Sequence, residues 1–222
     1  MSITAAPTPS QDLSRYREFQ LGTNLPMVAK QIRVKPSDAK VIHERPAVIQ
    51  ELEWRNPLTD SSQRSDSVGN ILFRFYNGEL YRLVVTYDRE RTEGMTAEDI
   101  VEAVSAKYGN ANRLTAEIIL SSTRLFTDGE KLISDRSEKV IARWEDSQYS
   151  FNLFQYSSEA TFGLVVYSKW LDDLAQAAIV ESVRMDKQEA TQREIESRKK
   201  KDEENRAKQE KARRVNKPPF RP

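Results

Sequence analysis

The chain has 222 residues, 38% hydrophobic and 31% charged, with a net charge of +1 and no Cys. No apolar run approaches the roughly 20 residues that a membrane-spanning helix needs. Without thiols there are no disulfides, thiolate zinc sites, iron–sulfur clusters or Cys nucleophiles. The charge is uneven: residues 186–222 hold 13 basic and 8 acidic side chains, net +5, leaving 22 and 26 in 1–185, net −4.

In chain order, the Pro-, Ser- and Thr-rich residues 1–15 read as a disordered linker. Such a segment commonly follows a cleaved export signal, so the expected setting is periplasmic or secreted if a signal lies upstream, and cytoplasmic otherwise. A short helix follows, capped by Thr23 or Asn24, with Pro26 in its first turn. A second helical turn is expected from Ser37 to about Arg45, ahead of Pro46. Ala47 to Trp54 reads as a strand, and the polar stretch Arg55 to Asn70 as a loop.

Residues 71–87 carry the clearest local pattern. Asn77-Gly78 between two alternating aromatic-rich runs is a two-residue hairpin signature. Unbroken pairing would set Phe75 opposite Leu80, Phe73 opposite Arg82 and Ile71 opposite Val84 on the buried face. Leu72 would face Leu83, and Arg74 would face Tyr81, on the other. That second face would leave Arg74, Tyr76 and Tyr81 half exposed.

Thr96 and Asp99 form a capping box for a helix over 97–108, closed by Gly109. Ala116 to Leu120 is a candidate strand and Thr127-Asp128-Gly129 a turn. Strands are expected at 139–144, 149–156 and 161–168, with Val140, Ala142, Trp144, Phe151, Leu153, Phe162, Leu164 and Val166 inward. Ser168 then opens a long helix in which Asp172 and Asp173 favour the helix dipole. The fold class is α+β: two helix-plus-antiparallel-meander halves of about six strands in all, at about 16–95 and 96–185, then a charged helical tail over 186–222.

The segment Phe19-x-Leu21-Gly22-Thr23-x4-Val28 resembles the helix start of bacterial outer-membrane assembly accessory lipoproteins and of the beta-lactamase-inhibitor-protein-like fold. The chain has no Cys for the lipid anchor or for the inhibitors' disulfides. The resemblance implies an envelope protein that works by binding other proteins.

Signals for chemistry are sparse. His43 is the only His, too few for a multi-histidine metal site, and reads as an exposed or capping residue. The seven Gly are scattered, with no phosphate-cradling loop. Glu51 and Glu53 read as outward polar alternation on a strand. Asp60 and Asp66 read as solvated loop residues. The aromatics of 71–87 lack the RNA-recognition consensus. In the tail, six pairs place the acid four residues before the base: Glu189/Arg193, Glu194/Arg198, Glu196/Lys200, Asp202/Arg206, Glu204/Lys208 and Glu210/Arg214.

The reading is a non-enzymatic protein-binding or scaffold module that needs no cofactor or metal. Candidate contact residues are Arg74, Tyr76 and Tyr81 on the hairpin, Arg198, Lys199, Lys200 and Lys201 in the tail, and Phe220 in the Pro-rich terminal peptide. The alternatives are a nucleic-acid- or ribosome-associated protein using the basic tail, and a hydrolase using His43 or the loop carboxylates.

Overall fold

The computed structural model describes residues 12–56, 66–112, 117–127, 130–157 and 161–216. The chain divides into two compact units, Met1–Ala177 and Ala178–Pro222.

The first unit opens on a two-stranded hairpin, β1 Arg15–Tyr16 and β2 Phe19–Gln20. Leu13 is already buried, so the folded chain starts before residue 16. Helix α1, Leu25–Gln31, is capped by Asn24, whose side chain accepts from the Met27 amide. A 3-10 turn, Pro36–Asp38, leads into β3 Lys40–His43, so the helix expected there is a strand. The antiparallel strands β4 Ile49–Arg55, β5 Val68–Tyr76 and β6 Glu79–Tyr87 complete the first meander. Strand β5 thus takes the last part of the expected loop; residues 57–65 lie outside the described residues.

Helix α2, Ala97–Tyr108, has the anticipated capping box, with Thr96 Oγ1 accepting from the Asp99 amide and Asp99 Oδ2 from the Thr96 amide. It precedes β7 Glu117–Thr127, β8 Glu130–Glu145, β9 Tyr149–Gln155 and β10 Phe162–Ser168. The β7–β8 hairpin pairs Thr127 with Glu130; the expected turn residues Asp128 and Gly129 lie outside the described residues. Helix α3, Lys169–Asn216, follows β10 directly. No helix among the described residues is long and apolar enough to cross a membrane.

The main sheet has eight strands in the order β3-β4-β5-β6-β10-β9-β8-β7. Two helix-plus-meander halves therefore meet through their last strands, β6 against β10. The strand count exceeds six because both edge strands, β3 and β7, belong to the ladder.

Cross-strand partners line up in rows. On one face run Leu52–Phe73–Leu83–Val166–Phe151–Trp144 and Trp54–Ile71–Val85–Leu164–Leu153–Ala142. Helices α1 and α2 cover this face with Val28, Ala29, Ile100, Val104 and Tyr108. Each large side chain buried here contributes about 1.5–3 kcal/mol. The opposite face carries a smaller cluster of Val84, Ile118, Leu120, Val140, Phe154 and Val165.

Two β-bulges correct the expected register. One extra residue on β6 turns the Phe73–Arg82 partnership into Phe73–Leu83, and Ile71 now faces Val85. Val84 thereby leaves the helix-covered face for the other. A second irregularity, on β8 between Val140 and Ala142, does the same to Val140. A one-residue slip reverses every side chain beyond it, which unbroken alternation cannot anticipate.

Gly163 is a close-approach position. A Cβ there would lie 2.2 Å from the Phe154 ring, which is itself fully buried. Gly163→Ala is expected to lower stability by about 1–3 kcal/mol through overpacking. Adding Phe154→Leu should recover part of the loss, as read by denaturant unfolding of the three chains.

Candidate functional site

The face opposite α1 and α2 is crossed by a mixed polar row, Glu51–Arg74–Arg82–Tyr167–Ser150–Glu145, each residue the cross-strand partner of the next. The β6 bulge creates its centre by adding Tyr81 beside Arg82. Arg74 Nε donates to Glu51 Oε1 at 2.8 Å. Arg82 Nη2 donates to Asp172 Oδ2 at 2.7 Å, and the Arg82 guanidinium lies 5.2 Å from the Tyr167 ring centroid. At the far end, Lys169 Nζ pairs with Glu145 at 2.8 Å and donates to the Asp146 carbonyl at 2.7 Å.

The centre of this row is closed to solvent, while Glu145 at its end is exposed. The side chains of Arg82 and Asp172 are 4% and 9% exposed, and Tyr81 is fully buried. Burial pushes the Tyr81 hydroxyl's pKa up, against the pull of Arg74 and Arg82. Burial also raises Asp172 above the ordinary carboxylate value, outweighing the Arg82 guanidinium beside it. Asp172 Oδ1 and Tyr81 Oη make no hydrogen bond with the described residues. The Arg82–Asp172 pair at the row's centre is therefore an internal electrostatic clasp. It fixes the first turns of α3, where Leu171 and Ala175 are also buried, to the sheet.

The expectation that Arg74 and Tyr81 stand half exposed is corrected by the same bulge. It sets Arg74 opposite Arg82 and leaves both Arg74 and Tyr81 buried; only Tyr76 stays intermediate. Arg198, Lys199, Lys200 and Lys201 are all exposed on α3. Phe220 lies outside the described residues.

His43 is buried on β3, not exposed. Asp66 is held by both Nη atoms of Arg17 at 2.7 Å, which lowers its pKa; Asp60 lies outside the described residues. Glu51 and Glu53 are each engaged by an arginine, Arg74 and Arg55. Among the described residues, no group of three His, Asp or Glu is placed to hold a metal ion. What the sequence reading missed is Asp172 as a partner of Arg82. The available signal was Arg82 on the buried side of the expected hairpin, which requires a buried acid without saying which one.

In the second unit every residue from Thr191 to Arg214 is exposed. Two of the six anticipated pairs have short contacts, Glu189–Arg193 at 3.3 Å and Glu210–Arg214 at 2.7 Å, and Arg184 is clamped on Glu181 at 2.6 Å. In the first unit, Trp170 is 68% exposed beside the buried clasp.

Comparison with protein-family models, curated proteins and solved structures finds no match.

Two predictions test the polar contacts. Asp172→Ala removes the carboxylate that meets the buried Arg82 guanidinium at 2.7 Å, and is expected to cost about 3–5 kcal/mol in denaturant unfolding. Asp172→Asn keeps an oxygen for Arg82 and should cost less. The double change Arg82→Met, Asp172→Leu should recover most of the loss.

The Asp66–Arg17 pair depends on pH. Its carboxylate pKa is lowered on folding, so its stabilisation is complete above the ordinary value of 3.8 and is lost as pH falls through the lower folded value. Asp66→Asn should cost about 1 kcal/mol at pH 7, and the two chains should converge in stability at strongly acid pH.

Proposed function

We propose that the chain is a non-enzymatic protein-binding or scaffold module of the bacterial envelope, with the exposed part of α3 as its contact element. The observation that carries this reading is the distribution of polar groups. In the body the conspicuous charged and phenolic side chains, Arg74, Arg82, Tyr81 and Asp172, are enclosed, with Arg74 bonded to Glu51 and Arg82 to Asp172. They serve the packing of the sheet. Thr191–Arg214, by contrast, presents all its side chains to solvent. The envelope setting rests on the resemblance of Phe19–Val28 to the assembly lipoproteins and inhibitor proteins, and on the composition of 1–15.

A charged helix surface favours partners with complementary charge and makes recognition sensitive to salt. The test keeps the helix and removes the charge. Arg198, Lys199, Lys200 and Lys201 are each changed to Gln, a good helix former. Both chains are cross-linked in an envelope extract at physiological salt. The reading expects one saturable partner whose recovery falls at least tenfold with the Gln variant. It is abandoned if that recovery is unchanged. Binding of an oligonucleotide that weakens steeply with salt would instead support the nucleic-acid reading.

A further inference from the structure

We infer that Thr191–Arg214 is a self-supporting single helix, a stiff rod held by its own ion pairs, and not half of a coiled coil. Four observations converge on this.

First, the helix runs unbroken from Lys169 to Asn216, with no Gly or Pro in it. Second, all residues of Thr191–Arg214 are exposed, so no packed face accounts for the helix there. Third, no seam exists. A coiled coil wants an apolar residue at alternating spacings of three and four, and Ile195 is the only large apolar side chain in the stretch. Ile195 is itself 50% exposed. Fourth, opposite charges recur at i,i+4 along the helix: six pairs place the acid first, the order that the helix dipole favours, against four with the base first, Arg198/Asp202, Lys199/Glu203, Lys200/Glu204 and Arg206/Glu210. Glu189–Arg193 and Glu210–Arg214 show this geometry directly.

Nucleation is the usual obstacle for such a helix, since the first turn forms with a weight of only about one in a thousand. Here the first turns of α3 are already set by Leu171, Ala175 and the Arg82–Asp172 pair. Only propagation remains, and Glu, Lys, Arg, Gln and Ala propagate well. At a rise of about 1.5 Å per residue, Thr191 and Arg214 are held about 35 Å apart. This inference holds whether or not α3 binds a partner.

The chain has no Cys, so two introduced thiols are unique labelling sites. Gln192→Cys and Lys211→Cys are spin-labelled in the full-length chain, and their separation is read by pulsed dipolar spectroscopy. The expected result is one sharp peak near a backbone separation of about 28 Å, unchanged with protein concentration. Replacing Glu194, Glu196 and Glu204 by Lys in the labelled chain should abolish the sharp peak. The inference is overturned by a broad or collapsed distribution in the unaltered chain. It is equally overturned by an intermolecular distance from singly labelled chains, which would reveal a coiled coil, or by a sharp peak that survives the three Lys substitutions.

Discussion

The β6 bulge at Tyr81 sets the sidedness of the central sheet. Without it, Arg82 would stand opposite Phe73, beneath α1 and α2, and a charged group would sit among apolar rows. With it, Leu83 completes the row from Leu52 to Trp144, and Arg82 turns to the other face. Phe73, Phe75, Phe151 and Trp144 can then be fully buried together. The sheet has continuous apolar rows across six strands only because the extra residue is absorbed there. A slip of one residue would expose the whole set.

The same residue produces the polar face. Tyr81 and Arg82 both enter the row that contains Arg74, and two adjacent cations beneath a covering element demand acids. Glu51 comes from the neighbouring strand β4, Asp172 from the first turns of α3. The chain thus couples a local irregularity in one hairpin to the placement of its last helix. The strand alternation elsewhere on this face, Val84 against Val165 and Gly163 against Phe154, supplies the apolar remainder.

Features set by neighbours in sequence were legible before the structure. Asn77-Gly78 marks its turn because both residues take positive φ, 48° and 85°. Thr96 and Asp99 mark the start of α2 because each bonds the other's backbone. The alternation of Phe151/Leu153 and Phe162/Leu164/Val166 places those residues on the helix-covered face as expected. The misplaced residues, Val84 and Val140, each lie beyond a bulge, whose position depends on the partner strand. Strand β3 follows a Pro-led turn that reads equally as helix. The Arg82–Asp172 pair joins residues 90 apart, and no local pattern could announce it. Asp172 at a helix start has a sufficient local explanation in the dipole, which hid its tertiary partner.

Energy alone does not account for keeping such a pair. Two buried charges lose hydration that their attraction barely offsets, and an apolar pair of equal volume would hold α3 about as well. The raised pKa of Asp172 says the same, since burial there outweighs the arginine. What an apolar pair lacks is direction. Around Arg82 the sheet offers apolar side chains in successive rows, with Val84 and Val165 side by side in the next one, and a helix with small residues such as Ala175 could settle over more than one of them. A single carboxylate that must meet a single guanidinium, with Tyr167 behind it, admits one register. The cost of the clasp is therefore matched by specificity in where the last helix begins.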